Sequence, residues 1–200
     1  MKLGEYIEET GGEMYAKTNS ERTFYFVRIP ANYVERAVYI LGEQLERSIF
    51  PEGKIPIEMK NIIQEIKRKK DDPRGYLWRS SQEFIYNGHP LSRDNLGTEE
   101  SLVTLTRDDF LEFKKRYYNP SNYVFIAVGN IKEKHALNLF DKYFNNKTGG
   151  IPNNRKIEKV IAPSNRVLIK HRDINQLHIS LNALVGQGKD KSSLYLEFFS

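Results

Sequence analysis

Apolar residues recur along this chain with two different periods, about 3.6 residues in some stretches and about 2 in others, which mark helices and strands respectively. Leu3, Tyr6 and Ile7 share one helical face, and Gly11-Gly12 ends that short helix near Thr10. Glu13–Thr18 and Thr23–Ile29 then read as two strands around the polar turn Asn19-Ser20-Glu21. In the second strand Thr23, Tyr25, Val27 and Ile29 share one face and Phe24 and Phe26 the other. Both faces are therefore largely apolar, which predicts a strand inside a covered sheet. After Pro30, a helix is predicted from Ala31 to about Ser48, with Val34, Ala37, Val38, Leu41 and Leu45 buried.

Pro51, Gly53 and Pro56 interrupt the pattern before a second long helix, Glu58 to about Lys69, whose stripe is Met59, Ile62, Ile63 and Ile66. Asp72-Pro73 opens a third, with Leu77, Trp78, Ser81 and Ile85 on one side. Asn87–Ser101 reads as a loop. Thr106 and Asp109 then form a capping box ahead of a helix presenting Phe110, Phe113 and Tyr117. Tyr123–Val128 is a continuous apolar run ended by Gly129-Asn130 and predicts a buried strand. A helix over Glu133–Phe144, a connector over Asn145–Asn165, strands at Arg166–Lys170 and Leu177–Val185, and the start of a helix at Lys191 complete the pass. Long helical excursions between strands predict an α+β fold, a mostly antiparallel sheet covered by helices, in one domain whose end looks cut off.

Composition changes this picture little. Of 200 residues, 39% are hydrophobic and 28% charged, enough for a globular core. No apolar run reaches the roughly 20 residues of a membrane helix, so no membrane partner is expected, and a cytoplasmic location is the default. Cysteine is absent, which removes disulfides and thiolate metal sites. The net charge of +5 would favour acidic partners only if it were gathered on one face. Its densest stretch, Lys67-Arg68-Lys69-Lys70, suits the end of a helix dipole and is followed by Asp71-Asp72. With no aromatic-basic interleaving, nucleic acid is not expected.

Candidate chemistry is sparse. His89, His135, His171 and His178 are the four histidines, and none sits in an H-x-x-E-H or H-E-x-x-H arrangement that would place two imidazoles on one helix face. There is no G-x-S-x-G, and Gly186-Gln187-Gly188 lacks the context of a dinucleotide loop. The sequon Asn146-Lys147-Thr148 would matter only on a secretory route. Glu58 and Glu65 are more informative. Seven residues at about 100° each bring them to the same side of the predicted helix, on the border of its apolar stripe, where a carboxylate can face a cleft. Helix surfaces are also rich in glutamates, and spacing alone favours that plainer reading.

The order of several short segments resembles the insulinase/pitrilysin family of zinc metallopeptidases. They are Gly11-Gly12-Glu13-Met14-Tyr15-Ala16-Lys17-Thr18 with Glu21-Arg22-Thr23-Phe24-Tyr25, then Glu58, Glu65-Ile66 and Asp71-Asp72-Pro73. Gly88-His89-Pro90-Leu91, Gly97-Thr98-Glu99-Glu100-Ser101, Tyr117-Tyr118-Asn119-Pro120-Ser121-Asn122 and Val128-Gly129-Asn130 follow. The resemblance implies a metallopeptidase lobe of the N-terminal type, in which zinc is held by two histidines of an H-x-x-E-H helix and one later glutamate. That glutamate matches Glu65, and Glu58 matches a carboxylate that supports the ligands. Family peptides add as a β-strand to a segment matched here by Met14–Thr18, which makes Tyr15, Ala16 and Thr18 the implied substrate contacts.

This chain departs from the pattern twice. The H-x-x-E-H helix, with both histidines and the catalytic base, is not among these residues, and the family usually has asparagine where Tyr15 stands. One glutamate cannot hold zinc, since catalytic sites need about three protein ligands. Zinc is thus expected in the complete enzyme and not in this chain alone, no catalytic residue is assigned, and Glu65 is expected to be solvated or paired with Lys69. Two functions follow: an incomplete zinc endopeptidase acting on peptides, inactive alone, or a non-catalytic lobe that pairs with an active homologous lobe. An exposed sheet edge and apolar face also predict self-association.

Overall fold

A computed structural model of the chain describes residues 3–144 and 160–184. Its elements are α1 (Leu3–Glu8), β1 (Glu13–Thr18), β2 (Thr23–Arg28), α2 (Val34–Glu46), α3 (Ile55–Asp71), α4 (Pro73–Ile85), α5 (Glu99–Leu102), α6 (Arg107–Tyr117) and α7 (Glu133–Tyr143). They belong to two compact units, one of Met1–Ile63 with Gly97–Lys156 and one of Gln64–Leu96 with Ile157–Ser200.

In the first unit, β1 and β2 form an antiparallel hairpin in the register Glu13↔Arg28 to Thr18↔Thr23. The turn is set by Asn19, whose side-chain oxygen accepts from the N–H groups of Glu21 and Arg22 at 3.0 and 2.9 Å. Gly11 adopts φ +69°, the left-handed step that stops α1. Ile7, at 1% exposure, anchors α1 in the core. Helix α2 is buried on two sides. Val38 packs with Leu139 and Phe144, while Ile40, about 200° around the helix, is fully buried. Gly42 allows the close approach of α7, because a Cβ there would lie 3.0 Å from the Tyr143 carbonyl oxygen. The capping box at the start of α6 is present: the Thr106 N–H donates to Asp109 Oδ2 at 2.7 Å, and Thr106 Oγ1 accepts from the Asp109 N–H at 3.4 Å.

Two local expectations fail in this unit. Phe24 and Phe26 are 46% and 40% exposed, so the outer face of the hairpin is open instead of covered. Tyr123–Val128 is extended but pairs with no other strand among the described residues. Tyr123 and Phe125 turn inward onto Phe144 and Phe140, with ring centroids 5.9 and 5.1 Å apart. Val124, Ile126 and Val128 stand outward at 85%, 76% and 93% exposure. An uninterrupted apolar run says that both faces want cover; it does not supply the neighbour. The predicted loop Asn87–Ser101 contains a 3-10 turn at Pro90–Ser92 and the short helix α5, capped by Thr98 and Ser101.

In the second unit, Asp72 caps α4 by accepting from the N–H groups of Arg74 and Gly75 at 3.2 and 2.9 Å, and Pro73 occupies the first turn. The buried side of α4 carries Ser80 and Ser81, whereas Trp78 is 64% exposed, against the predicted stripe. Ser81 is accommodated because its hydroxyl donates to the Leu77 carbonyl at 2.9 Å. The segments 166–170 and 177–184 join no sheet among the described residues. Leu177, Ile179 and Leu181 point outward and His178, between them, is half-buried, so the apolar side of this segment is the exposed one. Most of the predicted connector, the sequon at Asn146, Val185, Gly186-Gln187-Gly188 and the helix from Lys191 lie outside the described residues. Among the described residues no helix is long and apolar enough to cross a membrane.

Candidate metal ligands and peptide-binding strand

Helix α3 begins three residues earlier and ends two later than its apolar pattern predicts, and the pattern itself holds: Ile66 is 3% exposed, with Met59, Ile62 and Ile63 half-buried. Glu58 is exposed, with the Asn61 amide 3.5 Å from its carboxylate. Glu65 is half-buried, and Lys69 Nζ lies 3.0 Å from Glu65 Oε1, the expected pairing one helical turn on. Both partners keep substantial solvent contact, so this pair contributes at most about 0.5 kcal/mol and leaves the carboxylate available to a stronger cation. The C-terminal end of α3 is held by Arg172, whose Nη1 donates to the Lys70 carbonyl at 2.8 Å while its guanidinium covers the Tyr76 ring. No sequence signal pointed to that contact, which spans 102 residues.

The histidines are dispersed. His89 Nδ1 accepts from the Leu91 N–H at 3.1 Å and shapes the turn before Pro90–Ser92. His135 and His171 are exposed, the former in the first turn of α7. His178 is half-buried, with no hydrogen-bond partner for Nε2 among the described residues. Among the described residues no three His, Cys, Asp or Glu side chains come together in a group able to hold a metal ion. Zinc therefore does not fit the described residues by themselves, and Glu65 is at most one ligand of several.

The peptide-binding candidate is better formed. In β1, Glu13, Tyr15 and Lys17 face outward opposite Arg28, Phe26 and Phe24, while Met14, Ala16 and Thr18 oppose Val27, Tyr25 and Thr23. Two of the three outer pairs are complementary: Arg28 Nη2 lies 3.0 Å from Glu13 Oε1, and the Tyr15 and Phe26 rings are 4.8 Å apart. The Thr18 and Thr23 hydroxyls are 3.1 Å apart. Beyond β2, no other strand pairs with β1 among the described residues, so its outer edge can accept an extended chain.

Beneath the hairpin lies a phenol cluster that spacing did not reveal. The Tyr25 and Tyr118 hydroxyls are 2.8 Å apart and their rings meet edge to face at 6.2 Å. Burial, then the Tyr118 hydrogen bond, pushes the Tyr25 phenol well above its ordinary range. Burial and the neighbouring Glu46 carboxylate push Tyr123 up as well. Both phenols are therefore neutral at any physiological pH. Lys114 lies nearby and is lowered by burial, an effect that Glu46 opposes.

Two family models match the chain: that described as insulinase (peptidase family M16) over residues 1–99 and that of the peptidase M16 inactive domain over residues 104–200. A zinc protease of Rickettsia felis is 27% identical over 180 residues, covering 90% of this chain and 43% of that protein. A protein of Schizosaccharomyces pombe described as a mitochondrial-processing peptidase subunit beta is 29% identical over 138 residues, covering 69% of this chain and 30% of its own length. The chain thus spans less than half the length of these relatives. Among solved structures, a peptidase M16 inactive domain from Pseudomonas fluorescens superposes with a TM-score of 0.71 at 17% identity, covering 80% of this chain and 39% of that one. The first half of the periplasmic protease PqqL from Escherichia coli gives 0.62 at 23% identity, covering 82% and 36%. These likenesses establish the α+β fold of a peptidase lobe. The two models together account for nearly every residue, and the chain belongs to the insulinase family of peptidases, M16.

Proposed function

We propose that residues 1–200 are a single incomplete lobe of a zinc metalloendopeptidase acting on peptides, and that this chain does not hydrolyse peptides alone. The observation that carries this reading is the placement of Glu58 and Glu65 seven residues apart on α3, at the edge of its buried stripe, in a family whose curated relatives include zinc proteases. Glu65 is assigned as one zinc ligand and Glu58 as the carboxylate that supports the ligand set. The remaining ligands and the base have no counterpart here, because these 200 residues contain no H-x-x-E-H. Strand β1 is assigned as the peptide-accepting edge, with Tyr15, Ala16 and Thr18 lining the added chain. The partner is a peptide or a homologous lobe.

Supplying a family segment that carries H-x-x-E-H tests this reading. Peptide cleavage that appears on addition and disappears with E65Q is the expected result. A complemented protein that cleaves nothing and is unchanged by E65Q overturns it.

A second reading, a non-catalytic lobe that pairs with an active one, is favoured by Tyr15 and by the likeness to an M16 inactive domain. It requires co-purification with a homologous chain, and a solitary monomer would exclude it. The retained Glu58 and Glu65 weigh for the first reading, since a non-catalytic lobe has no chemical use for them.

A further inference from the structure

Strand β1 is the edge assigned to peptide, yet nothing in its own sequence fixes where that edge lies. Met14 is the half-buried residue of β1, near one end; at mid-strand Ala16 is exposed and too small to anchor anything, and the residue opposite it in the ladder is the half-buried Tyr25. Tyr25 reaches Tyr118, 93 residues further on, through hydroxyls 2.8 Å apart. The contact is well placed to act as a rigid stop. Tyr118 directly follows α6, its N–H donating to the Lys114 carbonyl at 2.8 Å. The next residue, Asn119, is 4% exposed and donates from Nδ2 to the Arg116 carbonyl at 3.0 Å. Asn122 Nδ2 donates to the Tyr117 carbonyl at 2.9 Å. The Tyr-Tyr-Asn-Pro corner is thus tied on both sides of Tyr118. Phe113 also packs on the Tyr118 ring at 6.3 Å. The outer face of the hairpin, with Tyr15 53% exposed, offers no comparable hold.

We propose that Tyr25 and Tyr118 are positioning residues for the peptide-accepting strand: their hydroxyl pair fixes the depth and direction of β1 at Ala16, and so the edge to which peptide adds. This rests on β1 being that strand. Neither tyrosine touches peptide. The hydroxyls act through the ladder, converting a hairpin edge into a preformed template, and a template that does not have to be ordered on binding loses less affinity to entropy.

The two hydroxyls can be removed together at little cost to the fold, since taking away both partners of a buried hydrogen bond leaves neither unsatisfied. The test therefore compares the 200-residue chain with Y25F, Y118F and Y25F/Y118F. The probe is a fluorescein-labelled nonapeptide of alternating valine and threonine with a lysine at each end, read by fluorescence anisotropy. Amide exchange of Met14–Thr18 and thermal midpoints are recorded in parallel. The expected result is that the double variant melts within a degree or two of wild type. Its β1 amides nevertheless exchange faster, and its peptide affinity falls about threefold to tenfold. If wild type binds and the double variant binds equally well, or if affinity merely follows the thermal midpoint across the three variants, the positioning role is refuted. If wild type does not bind the probe, β1 is not a peptide-accepting strand, and both readings fall together.

Discussion

The ammonium of Lys114 on α6 lies 3.0 Å from the main-chain carbonyl of Glu46, the last residue of α2, although 68 residues separate them in sequence. The same ammonium donates to the Ser48 carbonyl at 2.9 Å, and Arg107, at the other end of α6, donates to the carbonyls of Phe50 and Ile49 at 3.0 and 3.2 Å. Two cations of one helix thereby hold the exit of α2, including Phe50 at its positive φ of 45°, and deliver the chain into α3. The Glu46 and Ser48 carbonyls would be left without this donor in K114M, which should cost about 1.5–3 kcal/mol of stability. Urea unfolding of the two proteins at one pH checks it. An unchanged midpoint would show that water replaces the ammonium at no loss.

Gly12 is fixed by space instead of by φ. A Cβ there would stand 2.8 Å from the Arg28 carbonyl oxygen and 2.9 Å from Ile7 Cγ2, and the first of these is backbone. G12A should therefore destabilise by about 1–3 kcal/mol through forced displacement of β2 from α1. G4A, which meets nothing within 4 Å, should be neutral or slightly stabilising. Thermal melts of both variants compare them directly.

Helices α2 and α7 share an exposed ionic contact, Glu35 with Lys142 at 2.6 Å and with the Tyr143 hydroxyl at 2.8 Å. The Lys142 hydrogen bond is the main cause holding the Glu35 carboxyl below its ordinary value of 4.5. A depressed folded-state value means the stabilisation is present above 4.5 and lost as pH falls through the lowered value. Lys142 is raised by the same partner, so its share is present below its ordinary 10.5 and lost as pH rises through the raised value. The thermal midpoints of wild type and E35Q should accordingly differ near neutrality and converge in acid. Curves that run parallel down to the acid limit would contradict this.

Exposed Val124, Ile126 and Val128 form an uncharged, β-prone edge segment, and such edges pair with copies of themselves. The chain should self-associate at micromolar concentration, and I126K should shift it toward monomer without lowering its thermal midpoint. Light scattering decides the point: a wild-type monomer across that concentration range would dismiss self-pairing.

The legible parts of this fold were those whose cause lies within a few residues. The hairpin over Glu13–Thr18 and Thr23–Arg28, the Thr106–Asp109 cap, the Asp72-Pro73 helix start and the stripe of α3 all follow from local period, turn chemistry or capping. The Glu65–Lys69 pair was legible for the same reason, being one turn apart. What escaped depends on partners distant in sequence. Period alone predicted a strand at Leu177–Val185 and could not give the exposure of Leu177, Ile179 and Leu181, because amphipathic alternation names two faces without saying which one meets a neighbour. Trp78 departs in the same way: helical spacing sets it on one side of α4 with Ser81, yet it is exposed while Ser81, its hydroxyl bonded to the Leu77 carbonyl, is buried. Tyr25 with Tyr118, Lys114 with Glu46 and Arg172 with Lys70 are unremarkable residues in sequence, made consequential only by the fold.

Zinc content by elemental analysis decides whether Glu65 is a zinc ligand, measured on the chain alone, on the chain supplied with an H-x-x-E-H segment, and on that complement carrying E65Q. No zinc alone, about one zinc per chain after addition, and a loss of tenfold or more in zinc affinity with E65Q are the expected results. No zinc in any of the three, or zinc uptake that ignores E65Q, would rule out the ligand assignment and leave Glu58 and Glu65 as residues of a helix surface.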